Sequence, residues 1–270
     1  LFYQSEFFFD NCSTRIRDAL KKTMGADLTF SAAPSPQKSF RHLLDPYVAS
    51  RPLLDLGFDL ALGLPADRTA TAQEAMFLPE HLMRAFEEAT VSVDGTPRPL
   101  VTHTDTVQWI SNYSGKAAAF DWPVAAGWLF LVLVVGWTSW QATTDQSPTG
   151  RGDAVLFAVV GLVGLLLCYL WFVSTYAVTA YNLNLGWAWP THLVAATLLV
   201  RQSANRRLRL YLGLTAITTA TFALGSPLWP QDVHAAVLPI ALGLGVRAGW
   251  WAFGPVNRSL LSRAPSPSPT

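Results

Sequence analysis

Ala154–Val173 reads AVLFAVVGLVGLLLCYLWFV, twenty residues without a charge or a proline, about the length of helix that crosses the hydrocarbon core of a bilayer. The run carries on to about Tyr176. Working outward, four more apolar runs lie beyond Asp121: Trp122–Trp140, about Leu185–Val200, about Leu210–Trp229 and about Val233–Phe253. The third run in chain order is short and depends on Trp187 and Trp189 sitting at the interface. Trp and Tyr gather near the ends of these runs, where an amphipathic ring belongs at headgroup level. The pattern predicts an all-α membrane domain of five transmembrane helices over residues 122–257.

Composition agrees. Of the 270 residues, 51% are hydrophobic and 14% charged, well below the roughly 25% charged of a soluble domain. Residues 1–121 carry 11 Lys+Arg and 15 Asp+Glu, whereas residues 122–270 carry 8 and 3, so a net charge near +1 conceals an acidic half and a basic half. All eight basic residues of the second half are Arg placed around apolar runs, which excludes nucleic acid as a partner and points to a membrane.

Arg placement also gives an orientation, because basic residues near span ends stay on the cytoplasmic side. The link RQSANRRLR holds Arg201, Arg206, Arg207 and Arg209 and is expected in the cytoplasm. Counting from it, the Gln141–Asp153 link and the tail with Arg258 and Arg263 share that side, and the uncharged stretch around Asn182–Asn184 and the link Pro227–Asp232 face away. Residues 1–121 are then extracytoplasmic. Translocating so large a segment normally needs a signal peptide or an earlier span, yet the chain opens LFYQSEFFFDNC without Met; the expectation is a fragment of a longer protein, its first domain incomplete at the N-terminus.

In that first domain the aromatic run Leu1–Phe9 is either a buried strand or a helix lead-in, which periodicity does not decide. DNCSTRIRDALKKTMG follows as a helix: Asp10 or Asn11 caps it, Ile16, Ala19 and Leu20 share a face, Lys21 and Lys22 suit its last turn, and Gly25 ends it. Ser31–Gln37 is a Pro/Ser connection, Gln37–Leu44 a short helix, and Ala72–Ala89 a helix or two interrupted at Pro79. Val91–Val93, the Asp94-Gly95 turn and Leu100–His103 predict a hairpin, and Asn112–Ala119 is a polar linker.

Cys12 thus falls at a helix N-terminus. The helix dipole and Arg15 one turn on favour thiolate, the nucleophilic form, and Asp10 opposes it. Position alone leaves Cys12 either a nucleophile or a small buried hydrophobe. Cys168 lies within an apolar run, so no disulfide between the two is expected. Arg15 and Arg17 also have ion-pair partners within reach in Asp10 and Asp18, and Asn11 is equally well explained as a cap alone.

At these residues the chain resembles a known family. YQSEFFFDNCSTRIRDAL and LGLPADRTATAQEAMFLPEHLMRAFEEATV are similar to the periplasmic domain of the Lnb-type lipoprotein N-acyltransferases of Gram-negative bacteria, and YNLNLGWAWPTHL and PQDVHAAVLPIALGLGVR resemble the membrane segments that follow it. The resemblance implies an α+β, permuted papain-like thiol fold over residues 1–121, with Cys12 as nucleophile and a catalytic His on a strand upstream of Leu1; Asn11 and Arg15 are candidates for supporting roles, orienting the site and stabilising charge. It implies a cysteine-dependent acyltransferase at the periplasmic face of the inner membrane, acting on phospholipid or lipoprotein acyl groups through a thioester. A cysteine hydrolase of the cell envelope and a non-catalytic membrane scaffold binding lipid or a partner protein are the competing expectations.

At the membrane boundary, Asn182, Asn184 and His192 are further candidates, either shaping a lipid access path or satisfying backbone groups at a helix break. Arg247 is expected to snorkel to the cytoplasmic headgroups. No His, Cys and carboxylate cluster has metal-ligand spacing and no cofactor is expected. The tail 258–270, ending APSPSPT, is expected to be disordered in the cytoplasm.

Overall fold

The computed structural model describes residues 5–31, 37–108, 118–144, 146, 148, 150–201 and 205–254. They group into two units, one drawn from 1–55, 62–119 and 174–181 and the other from 56–61, 120–173 and 182–270. The tail 258–270, and most of the two predicted connections around residues 32–36 and 112–117, lie outside the described residues.

In the first unit, helix α1 (Cys12–Met24) starts and stops where its sequence signals sit. Asn11 and Thr14 form a capping box, Lys21 and Lys22 occupy the last turn, and Gly25 takes φ 57° at the C-cap, a left-handed value that glycine adopts at little cost. The described part of the aromatic run is neither strand nor helix. Phe7–Phe9 form a turn closed by a bridge between Glu6 and Asp10, because the run is pinned on both sides: Asn11 Nδ2 donates to Phe7 O, and Phe8 turns inward onto Phe40 at 5.0 Å and Phe77 at 4.9 Å. These rings anchor a core completed by Leu43, Leu44, Val48 and Leu82.

That core is carried by α2 (Phe40–Val48), capped by Ser39, by α4 (Ala72–Ala75), capped by Thr71, and by α5 (Pro79–Glu87), with α3 (Pro52–Ala61) following α2. The helix expected over Gln37–Leu44 begins later and runs further, since Ser39 is the first residue able to cap it. Pro79 divides the expected 72–89 helix in two, as the first helical residue of α5. Strands β1 (Leu28–Thr29), β2 (Thr90–Val93) and β3 (Thr96–Pro99) form an antiparallel sheet in that order. The hairpin turn is Asp94-Gly95, with φ 53° and 75°, the two positive values of a type I′ turn. A two-residue turn makes the chain resume pairing at once, so the second strand is Thr96–Pro99 and not the expected Leu100–His103.

The second unit is helical: α6 (Trp122–Thr143), α7 (Gly150–Phe172), α8 (His192–Val200), α9 (Arg206–Gly225) and α10 (Val237–Phe253). Three of these, α6, α7 and α9 with its extension to Leu228, are long and apolar enough to cross a membrane, and α10 is a shorter apolar helix of 17 residues. The expected third span, Leu185–Val200, is not one helix. Residues 182–191 contain a 3-10 turn at Leu183–Gly186 and then an irregular stretch, because Pro190 lacks an N–H and keeps the residue before it out of the helical region. What remains, α8, has nine residues and is about 14 Å long.

Small residues let these helices approach closely. A Cβ on Gly164 of α7 would lie 2.2 Å from Ala188 O, and one on Gly245 of α10 would lie 2.4 Å from Thr219 Oγ1 of α9. Arg247 departs from expectation. It is 1% exposed and does not snorkel: its fork holds Asp153 at 2.6 and 2.8 Å, its third nitrogen donates to Thr138 Oγ1 and Gln141 Oε1, and its plane lies 4.6 Å from the Trp137 ring. Trp251 Nε1 also donates to Asp153 at 2.6 Å. A carboxylate within reach on α7 removes the reason for the guanidinium to seek water, since buried charge is retained where it is paired and hydrogen-bonded.

Candidate functional site: Cys12 at the start of α1

Cys12 is the first residue of α1 and is an exposed free thiol; Cys168 is also free. Its position is fixed by its neighbour. Asn11 Oδ1 accepts from Thr14 N at 3.0 Å, Thr14 Oγ1 accepts from Asn11 N at 2.9 Å, and Asn11 Nδ2 reaches Phe77 O at 2.9 Å. Asn11 therefore caps the helix and ties its first turn to the aromatic core. The cap uses Thr14 N, and Arg15 N donates to Asn11 O, which leaves the amides of Cys12 and Ser13 as the open donors of the helix end.

The charges around Cys12 pair with each other. Arg15 grips Asp10 through both fork nitrogens, and Arg17 pairs with Asp18 at 2.7 Å while donating to Gln73 O. Arg15 is thus oriented by Asp10. Among the described residues, no side chain hydrogen-bonds to the Cys12 sulfur. What this corner of the fold offers chemically is a solvent-accessible thiol at a helix start, next to two N–H groups that make no backbone hydrogen bond within the helix.

Two ion pairs support the same unit. Arg41 and Asp67, both nearly buried, meet at 2.7 Å, with Arg41 also donating to Leu62 O. Arg68 holds Glu74, and this hydrogen bond lowers the Glu74 carboxyl to about 2 and raises Arg68. A cavity of 290 Å³ opens between α2 and α5, lined in part by Lys38, His42, Tyr47, Glu80 and His81, and burial pushes the His81 imidazole down. Sequence spacing gave no sign of this cluster, because the two helices that line the cavity are separated by thirty residues of chain.

The boundary candidates lie in the helical unit. Asn182 accepts from Asn184 N at 2.9 Å and donates to Leu60 O at 2.7 Å, and Asn184 Oδ1 accepts from Trp187 Nε1 at 3.1 Å. Both asparagines therefore satisfy polar groups at the helix break. His192 is fully buried; Nε2 meets Trp187 O at 3.1 Å and Nδ1 meets Tyr211 Oη at 2.6 Å. A carbonyl only accepts, so Nε2 carries a proton, and in the neutral ring Nδ1 accepts from Tyr211. Among the described residues no group of three or more His, Cys, Asp or Glu is arranged to hold a metal ion.

A family model described as the Lnb transmembrane domain matches residues 116–257, more than half of the chain. No curated protein and no solved structure matches. The matched stretch contains α6 to α10, and three of its helices are long and apolar enough to cross a bilayer; the chain is a multi-pass membrane protein and belongs to the Lnb transmembrane domain family.

Proposed function

We propose that the protein is a membrane-tethered, cysteine-dependent acyltransferase that works at the periplasmic face of a bacterial inner membrane on phospholipid or lipoprotein acyl groups. The observation that carries this reading is the exposed Cys12 thiol at the first position of α1, beside two open amide donors, in a chain with an Lnb transmembrane domain. Residues 1–121 form the catalytic domain, of permuted papain-like kind, and 122–257 the membrane domain, with the Arg201–Arg209 link and the C-terminus in the cytoplasm.

The Cys12 thiolate attacks an acyl ester carbonyl. The carbon–sulfur bond forms as the ester carbon–oxygen bond breaks, and the general base that took the thiol proton returns it to the departing lysolipid oxygen. An amine acceptor then attacks the thioester, the carbon–sulfur bond breaks, and a general base takes the amine proton. The amides of Cys12 and Ser13 hold the oxyanion in both steps. Asn11 keeps the thiol and these donors in register, and Arg15 balances charge at the helix start. Tethering the thiol to the spans keeps it at high effective concentration near acyl chains.

The decisive experiment is trapping. Full-chain protein in membranes given radiolabelled phospholipid is expected to acquire a hydroxylamine-labile acyl group that Cys12→Ser abolishes. If no such adduct forms and Cys12→Ser leaves the cellular role intact, the catalytic reading fails and a lipid-binding scaffold replaces it. If the adduct forms and mass spectrometry finds only free fatty acid released, the activity is hydrolysis.

A further inference from the structure

The helical unit contains an open groove of 380 Å³, inside the range of about 300–1,000 Å³ for small-molecule sites. Its lining includes buried Phe222 of α9, Trp171 from the end of α7, Trp229 beyond α9, and Leu183 and Leu185 from the 3-10 turn. The groove exists because the chain breaks helix here, and the break is fully stitched. Leu183 N donates to Gln231 Oε1 at 2.7 Å, and Asn184 N donates to Asn182 Oδ1. The turn therefore offers leucine side chains to the groove and keeps these two amides occupied.

Two further polar groups on the lining are used in the same way: Trp229 Nε1 donates to Phe222 O at 3.0 Å and Thr218 Oγ1 to Thr215 O at 3.1 Å. The lining is therefore mostly apolar, and an apolar ligand suits it better than a polar metabolite. The lining runs, along the chain, directly into Phe172, Val173, Leu224 and Leu228, which are all more than 60% exposed, so the groove opens onto the apolar surface that a membrane protein gives to lipid. A preformed apolar slot at span ends is continuous with the acyl-chain phase, and tryptophans at such ends sit at headgroup level, where phospholipid ester carbonyls lie.

We propose that this groove binds one acyl chain of a bilayer phospholipid. The lipid site does not rest on the acyltransferase reading above. Thr218 and Thr221, one turn apart on α9, set how much of the chain the slot admits.

The test uses the full chain in bilayer nanodiscs of phosphatidylethanolamine doped with a phosphatidylethanolamine carrying a diazirine near the end of one acyl chain, with adducts mapped by mass spectrometry. Adducts are expected to concentrate on 183–186 and 218–229 and to be lost from them in Thr218→Phe and in Thr221→Phe, the second at an exposed position that tolerates bulk. Leu224→Phe, outside the slot, is expected to label as the parent does. Adducts spread evenly over exposed span residues such as Leu129, Val132 and Leu162, or groove adducts unchanged in both filled variants, overturn the site.

Discussion

Asp153 and Arg247 are the residues whose partnership most constrains the membrane domain. Each is 1% exposed, and together with Trp251, Thr138 and Gln141 they tie α6, α7 and α10. Removing one partner strands the other as an uncompensated buried charge, which costs about 3–5 kcal/mol, whereas replacing both by apolar groups of similar volume is close to neutral. Arg247→Met alone and Asp153→Leu alone are therefore expected to lower the thermal unfolding temperature in detergent sharply, and the double variant to recover most of the loss. Additive losses in the double variant would show that the two charges act independently. In the first unit, the hydrogen bond from Arg68 lowers the Glu74 carboxyl to about 2, because it binds the charged form. A depressed folded pKa stabilises above the unfolded value, so this contribution is intact above the ordinary 4.5 and fades as pH falls toward about 2. Both side chains are partly exposed, and solvent screens the pair; the effect is local. Hydrogen-exchange protection at residues 68–76, taken relative to the intrinsic rate at each pH, is expected to fall as pH drops across that window in the parent and to stay flat in Glu74→Gln.

At the scale of elements, α7 depends on what it lacks. A side chain on Gly164 has no room, since its Cβ would meet the carbonyl oxygen of Ala188 at 2.2 Å, while one on Gly136 of α6 would meet nothing within 4 Å. Gly164→Ala is expected to force backbone apart and destabilise by about 1–3 kcal/mol, and Gly136→Ala to be neutral or stabilising by up to about 1 kcal/mol. Equal effects in a detergent melt would mean that the close approach of α7 to residues 188–190 is not what holds the domain. The same scale separates what was legible in the sequence from what was not. Helix α1 and the Asp94-Gly95 hairpin were readable because their determinants are local: a capping box spans four residues, and a type I′ turn spans two. α6 and α7 were readable because twenty apolar residues suffice. The Leu185–Val200 run misled, because hydropathy counts apolar residues and does not register that Pro190 and the two asparagines redirect the backbone. Arg247 misled for a different reason: its partner lies 94 residues away, and a window around Arg247 sees only a lone cation near a span end.

For the whole molecule, the arrangement in the membrane follows from where arginine is absent. The Arg201–Arg209 segment carries four arginines, and the stretches 174–191 and 226–236 carry no Lys or Arg. The proposed topology places the arginine link in the cytoplasm on the positive-inside rule and residues 1–121 in the periplasm, which requires an odd number of crossings between them. Among the described residues, only α6 and α7 precede the link as helices long and apolar enough to cross, so the proposal needs a third crossing within residues 174–200. The chain brings its own probe for this, because Cys12 is exposed and the other cysteine, Cys168, is removable as Cys168→Ala. With a membrane-impermeant maleimide, Cys12 is expected to label in right-side-out vesicles and to be protected in inside-out ones. A Cys12→Ala, Cys168→Ala chain carrying Arg207→Cys is expected to show the reverse. Labelling of both positions from the same side would break the odd-crossing count, and with it the third crossing, which α8 alone, at nine residues, is too short to make. The outcome therefore tests the path of residues 182–200 as directly as it tests the side on which the thiol works.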